Sequence, residues 1–218
     1  WSDIARKIAH EVKNPLTPIK LSAERIEKKI KNKDINIEEI EKLTSTISKQ
    51  VDDIDKLVDE FSSFARMPEA EIKLDNLSET LKKSFNLFSI SYSNINMKLL
   101  LTDKDVFLQF DNFQITQAFT NIIKNAVEAV IKIPNPSIEV KLIEINKDIQ
   151  ITITDNGIGI DKTKITKLFE PYFTTKDKGT GLGLSIVKKI IEDHKGIIKI
   201  EKNTEIVGTI ATVIFNCK

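Results

Sequence analysis

Asp148-Ile149-Gln150-Ile151-Thr152-Ile153-Thr154 alternates apolar and polar residues with period two, and Asp155-Asn156-Gly157-Ile158-Gly159-Ile160 follows it without a break. The alternation and the β-branched residues predict a strand, and Ser137 to Ile145 just before it repeats the pattern, so the two are expected to pair. Asp155 then stands at a strand end, placed to accept a hydrogen bond, for example from an exocyclic amine. Gly157 and Gly159 let the backbone approach a flat ring closely. The same residues also read as an ordinary Asp-Asn-Gly turn, although a turn does not need the second glycine.

Outward from this strand, Leu77 to Leu87, Gln114 to Ile131 and Leu184 to His194 read as helices, and Ile197 to Lys202 and Thr209 to Phe215 as further strands. Helices followed by consecutive strands predict an α+β fold, a sandwich of one sheet under a helical layer. The helix from Gln114 has an apolar face of Ile115, Phe119, Ile122, Ala126 and Ala129. Asn121 and Asn125, four apart, share another face and offer amide oxygens to a hard cation such as Mg²⁺. Two asparagines at that spacing are equally common on a solvated surface.

Lys178-Gly179-Thr180-Gly181-Leu182-Gly183-Leu184-Ser185 leads into a helix. Its glycines free backbone amides to point at phosphate oxygens, and the helix N-terminus adds its dipole. The spacing is neither that of a Walker loop nor of a Rossmann fingerprint, so phosphate cradle and flexible linker both stay open. Leu168-Phe169-Glu170-Pro171-Tyr172-Phe173-Thr174-Thr175-Lys176 lies before it. The aromatic anchors followed by the polar stretch Thr174 to Gly181 read as a lid over a ligand, or as a hydrophobic clamp that closes the core.

The first 67 residues predict two long helices. The first runs from Ile4 to about Ile30 with an apolar stripe of Ile4, Ile8, Val12, Ile19, Ala23, Ile26 and Ile30, interrupted by Pro15 and Pro18, each of which invites a bend. Lys31 to Asn36 is polar and predicts a turn. The second carries Ile37, Ile40, Leu43, Ile47, Val51, Ile54, Val58, Phe61 and Ala65. A lone hairpin buries little apolar surface, and doubling it into a four-helix bundle hides both stripes, which predicts a homodimer. Packing on the downstream domain is the alternative. His10 falls about 200° and Asn14 about 240° from the stripe at 100° per residue, so both belong to the opposite face. We therefore expect a helical hairpin over 1–67, a linker over 68–73 and a second domain over 74–218.

Thirty-three Lys and Arg against 32 Asp and Glu give a net charge of +1, so no strong field points to nucleic acid. The single Cys217 and two distant histidines, His10 and His194, exclude a disulfide framework and a cysteine or histidine metal cluster in the usual patterns. A reducing, cytoplasmic setting is expected. No apolar run approaches the roughly 18 residues of a membrane span. The chain opens at Trp1 within a helical pattern, which predicts a piece of a longer protein.

Taken in order, the clusters resemble the catalytic core of a two-component sensor histidine kinase. His10-Glu11 with Asn14-Pro15 resembles the H box, Asn121 to Asn125 the N box, Asp155 to Gly159 the first G box, Phe169 to Phe173 the F box, and Gly179 to Gly183 the second G box. The opening Trp1 to His10 with Leu16 to Ile19 and Leu21 to Arg25 is similar to the NtrY nitrogen-regulation sensors. The resemblance implies a dimeric four-helix bundle followed by a Bergerat-type α/β sandwich that binds ATP. His10 would take the γ-phosphoryl group, Glu11 would act as base or hydrogen-bond partner, and Asn14 would orient water in a phosphatase reaction. Asn125 would bind Mg²⁺ with Asn121 beside it. Asp155 would read the adenine amino group, and Gly157 and Gly159 would line the base pocket. Lys178, Gly179, Gly181, Leu182 and Gly183 would hold phosphates, and Thr209 would make the last adenine-side contact. Related ATPases place a catalytic glutamate where Asn121 sits, which suits this site to transfer over hydrolysis. The C-terminal glycine motif departs from the pattern, being only Gly208-Thr209. The implied partner is a response regulator, NtrX-like, and the implied parent is inner-membrane anchored by segments absent from this fragment. A phosphatase-biased protein or a nucleotide-binding dimeric scaffold is the competing expectation.

Overall fold

A computed structural model describes residues 2–34, 36–65, 68–176, 179–204 and 206–216; within the helices, the side chains of 2–8, 10, 60, 63–65 and 162 lie outside the description. The chain divides into two compact units, Trp1–Met67 and Pro68–Lys218.

The first unit is a hairpin of two helices, α1 (Ser2–Lys31) and α2 (Ile37–Ala65). The expected interruption at Pro15 and Pro18 does not occur: α1 is one uninterrupted helix through both. Each proline withholds one backbone donor, and packing against α2 outweighs that loss. Both prolines are partly buried, as are Val12, Ile19 and Ile26, and Ser22 is buried. At the turn, Lys33 takes a left-handed φ of 57° and the Asp34 N–H donates to the Lys29 carbonyl at 3.0 Å, closing α1 with a six-residue reverse bond. Asn36 starts α2 by accepting the Glu39 N–H on its side-chain oxygen at 3.3 Å. The Lys29 ammonium ties the two ends together through Asp34 and Glu39.

The expected stripes turn out to be double. Val12, Ile19 and Ile26 on α1, and Ile40, Leu43, Ile47, Ile54, Leu57 and Phe61 on α2, are partly buried. Ala9, Leu16, Ala23 and Ile30 recur every seven residues on α1 and remain exposed; Ile37, Thr44, Val51 and Val58 do the same on α2. A seven-residue apolar repeat is the spacing of a coiled-coil seam.

The second unit is a five-stranded sheet under three helices. Its strands are β2 (Asn96–Leu100), β4 (Ser137–Ile145), β5 (Asp148–Asp155), β6 (Gly196–Lys202) and β7 (Thr209–Asn216), in the order β2-β4-β5-β7-β6. Only β2 and β4 are parallel. A separate antiparallel pair joins β1 (Lys73–Asn76) to β3 (Phe107–Phe110). The helices are α3 (Leu77–Ser91), α4 (Asn112–Val130) and α5 (Gly183–Asp193). Helix α4 lies centrally, packed on α3, α5, β4 and β5. The period-two rows Ile138-Val140-Leu142, Ile149-Ile151-Ile153 and Ala211-Val213-Phe215 are buried against Ile115, Phe119, Ile122, Ile123, Val187, Ile190 and Ile191.

The segment expected as a linker is tied to α4. The Pro68 carbonyl accepts from the Gln114 side-chain amide at 3.0 Å, and the Glu71 N–H donates to the Asp111 carboxylate at 2.8 Å. Asp111 is also the N-cap of α4, accepting the Gln114 N–H at 3.0 Å. Its own N–H donates to His194 Nε2 at 2.9 Å, while His194 Nδ1 lies 2.7 Å from the Ile190 carbonyl. The imidazole thus clips the end of α5 to the start of α4.

Candidate functional site

Asp155 continues the buried row of β5, two residues past Ile153, so the strand's own period carries its carboxylate under the helical layer, where it is only 5% exposed. Burial pushes its pKa up, and the Gly157 N–H together with the N–H and hydroxyl of Thr209 pull against that shift by donating to it. The Gly157 bond is 2.8 Å long. Thr209 stands directly across the ladder from Asp155.

The glycines around this carboxylate are demanded by close approaches. A Cβ on Gly157 would come within 2.7 Å of both Cβ and the carbonyl oxygen of Ala129, so this loop rests on α4. Gly208, at φ 152°, would drive a Cβ to 1.9 Å from the Asp155 carbonyl oxygen. Gly159, at φ 72°, faces Gly208. Asn156 ties the loop back, accepting the Ser137 N–H at 2.8 Å and donating to the Asn135 carbonyl at 2.9 Å. The sequence singled out Gly157, Gly159 and Thr209. Gly208 carries the greatest steric demand, visible only once β7 is laid beside β5.

The other end of the site is built by α4 and α5. Asn121 and Asn125 are partly buried on one flank of α4. A Cβ on Gly183 would lie 3.7 Å from the Asn121 side-chain oxygen, so Asn121 faces the first residue of α5. No side-chain hydrogen bond caps α5, and its leading N–H groups are those a phosphate oxygen would meet. Leu182 is fully buried and plugs the start of the helix into the core. From Asn121 to Ala129 the helix axis advances about 12 Å at 1.5 Å per residue. Helix α4 therefore runs from the α5 N-terminus, beside Asn121, to the loop after Asp155, beside Ala129, with Asn125 between them.

Asn125 accepts from the Lys176 ammonium at 2.9 Å, and the same ammonium pairs with Glu128, one turn further along α4. This corner holds the ammonium between an amide oxygen and a carboxylate. The sequence reading placed Lys176 only at the end of an aromatic cluster and passed over Glu128. The signal for the latter was there: Glu128 is three residues from Asn125, on the same helical face.

The aromatic segment is pinned at both ends. Tyr172 is buried at φ 64°, a left-handed conformation that costs about 1 kcal/mol or more for a residue with a side chain. Its N–H donates to the Gly181 carbonyl at 2.9 Å, and Gly181, at φ 69°, has no room for a Cβ beside Tyr172 and Phe173. Gly179 packs on Thr174. Lys178 lies outside the described residues. Of the hairpin candidates, Asn14 is exposed and Glu11 partly buried on α1; His10 has a helical backbone, and its side chain lies outside the description. Among the described residues, no group of three or more acidic, His or Cys side chains forms a metal cluster, and no helix is long and apolar enough to cross a membrane.

These two units match two family descriptions in succession: His Kinase A (phospho-acceptor) domain over 1–70, and Histidine kinase-, DNA gyrase B-, and HSP90-like ATPase over 110–217. The chain belongs to the two-component sensor histidine kinases, of which it has the catalytic core. Within them it is NtrY-like, being 42% identical over 215 residues to the nitrogen regulation protein NtrY of Azorhizobium caulinodans. That alignment takes in 94% of this chain and 27% of the relative, so the chain spans about a quarter of that relative's length. The solved catalytic domain of histidine kinase ThkA is 31% identical, with a TM-score of 0.61 over 67% of this chain and 95% of that one. ThkA in complex with response regulator protein TrrA gives a TM-score of 0.78 at 25% identity, over 98% of this chain and 60% of that one.

Proposed function

We propose that this chain moves the γ-phosphoryl group of ATP onto His10 and from there onto an aspartate of a response regulator, acting as a homodimer. The observation that carries the reading is the combination in one chain of the His10-Glu11…Asn14-Pro15 segment on a long helix with the buried Asp155, its glycine loop and the asparagine pair of α4. Asp155 accepts the adenine amino group, Gly157 and Gly159 bring backbone against the ring, and Thr209 holds the carboxylate in place. The N–H groups of Gly179, Gly181, Leu182 and Gly183, with Lys178, take the phosphates.

In the transfer step a ring nitrogen of His10 forms a bond to the γ-phosphorus while the bond from that phosphorus to the departing ADP oxygen breaks. Glu11 accepts the proton of the other ring nitrogen in a hydrogen bond and keeps the attacking one nucleophilic. Asn125, with Asn121 beside it, would hold Mg²⁺, which supplies neutralisation of the phosphate charge. Asn121 is an amide and takes no proton from water, which favours transfer over hydrolysis. The exposed Asn14, one turn beyond His10, orients water for the reverse reaction, hydrolysis of the regulator's phosphoaspartate.

The exposed seven-residue repeats on α1 and α2 support the homodimer, since a second hairpin covers both. The likeness to NtrY supports an NtrX-like regulator and a parent protein held at the inner membrane by segments outside this chain. The test is incubation with γ-labelled Mg-ATP. Acid-labile, base-stable label is expected on the native chain and absent from His10→Gln; label retained by the variant, or absent from both while ATP binds, overturns the reading.

A further inference from the structure

The Lys176 side chain reaches α4, bridging 51 positions of sequence to Asn125. Its backbone is fixed for that reach: its N–H donates to the Thr174 hydroxyl at 3.1 Å, and the Tyr172–Gly181 bond holds the base of the loop. The ammonium rests against the Asn125 side-chain oxygen and the Glu128 carboxylate. These are oxygen donors of the kind that suit a hard divalent cation. Two cations do not share one such corner.

We propose that Lys176 is an internal counter-ion for the metal corner, which Mg²⁺ must displace when it arrives with nucleotide. This rests on the reading of Asn125 as the metal-binding residue. Lys176 and Glu128 are each about two-fifths exposed, at 44% and 40%, so solvent screens the pair and keeps the exchange reversible. Displacement also breaks both described contacts of the Lys176 ammonium with α4, so metal entry frees this side chain. The role differs from that of a phosphate-binding lysine. A counter-ion opposes metal and leaves metal-free nucleotide untouched, whereas a phosphate ligand strengthens nucleotide binding with or without metal.

The experiment titrates Mg²⁺ into the full chain at fixed ADP and follows ADP binding by calorimetry, alongside an ADP titration in EDTA, for the native chain, Lys176→Met and Lys176→Arg. Lys176→Met is expected to lower the apparent Mg²⁺ dissociation constant by about two- to five-fold, the range of an exposed ion pair, and to leave ADP affinity in EDTA unchanged. Lys176→Arg, which keeps the charge, is expected to behave as the native chain. Weaker ADP binding by Lys176→Met in EDTA, or an unchanged Mg²⁺ constant with ADP binding intact, overturns the counter-ion role alone. Failure of the native chain to bind ADP under either condition overturns the nucleotide site and this role with it.

Discussion

Thr209 faces Asp155 across the β5–β7 ladder and gives it two donors, a backbone N–H and a hydroxyl. The pairing register of two strands thereby supplies donors that oppose the upward push of burial on this carboxylate. The folded value of Asp155 is raised above its ordinary 3.8. Between those two values the folded chain keeps a proton that the unfolded chain has lost. The group's contribution to stability is therefore full below the ordinary value and declines as pH rises through the raised one. The proposed adenine recognition would run the other way, because it would use the ionised form.

Thr209→Val keeps the N–H and removes the hydroxyl. The midpoint at which ADP binding fails on acidification is expected to move to higher pH, with affinity near neutrality falling by about tenfold, the value of a hydrogen bond to a charged group. Thr209→Ser is expected to restore both. Calorimetric titration across the acid range checks this, and coincident profiles for all three chains would remove Thr209 from the site.

Gly208→Ala sets a methyl group against the Asp155 backbone at a φ that side chains rarely adopt. We expect a loss of more than about 2 kcal/mol, seen as a lowered melting temperature of the second unit. Gly179→Ala meets chiefly the Thr174 hydroxyl, a side chain able to turn, and is expected to cost less.

Asp111→Ala removes the N-cap of α4 and the acceptor for the Glu71 N–H, at an expected cost of about 1 kcal/mol or somewhat more. Desolvation works against the Asp111 carboxylate, but the N–H groups of Gln114, Glu71 and Phe113 outweigh it and hold its pKa below 3.8. Its stabilisation is thus present above the ordinary carboxylate value and lost as pH falls through the depressed one. Denaturant melts at neutral and strongly acid pH are expected to show the variant's deficit shrinking in acid.

Val51→Glu combined with Val58→Glu places two charges on the exposed repeat of α2 and none on its buried face. Light scattering is expected to report a monomer for the double variant and a dimer for the native chain, with little change in helix content. An unaltered dimer would place the interface elsewhere.

Period carried most of the legible fold. β4, β5, β7, α4 and α5 are long enough for alternation or helical spacing to declare them, and Asp155, Asn121 and Asn125 follow from their places on those elements. Strands β1 and β3 have four residues each, and β2 has five. Segments so short take their conformation from the strand beside them, and the reading of the sequence assigned none of the three. The helical stripes were read as single faces although each was two, because a wheel cannot tell residues that meet α2 from residues left open. Lys176 was hidden for another reason: its contact with Asn125 and Glu128 is a matter of loop placement, which no spacing rule encodes.

A buried carboxylate whose donors are already chosen has only acceptor capacity left to offer. Adenine presents an amino group at its sixth position, and guanine presents a carbonyl there. Guanine would set oxygen against oxygen in a place too dry to soften the repulsion. On the proposed reading of Asp155 as the adenine-binding residue, it would therefore act as a purine filter, disfavouring GTP from a position that β5 fixes for reasons of packing.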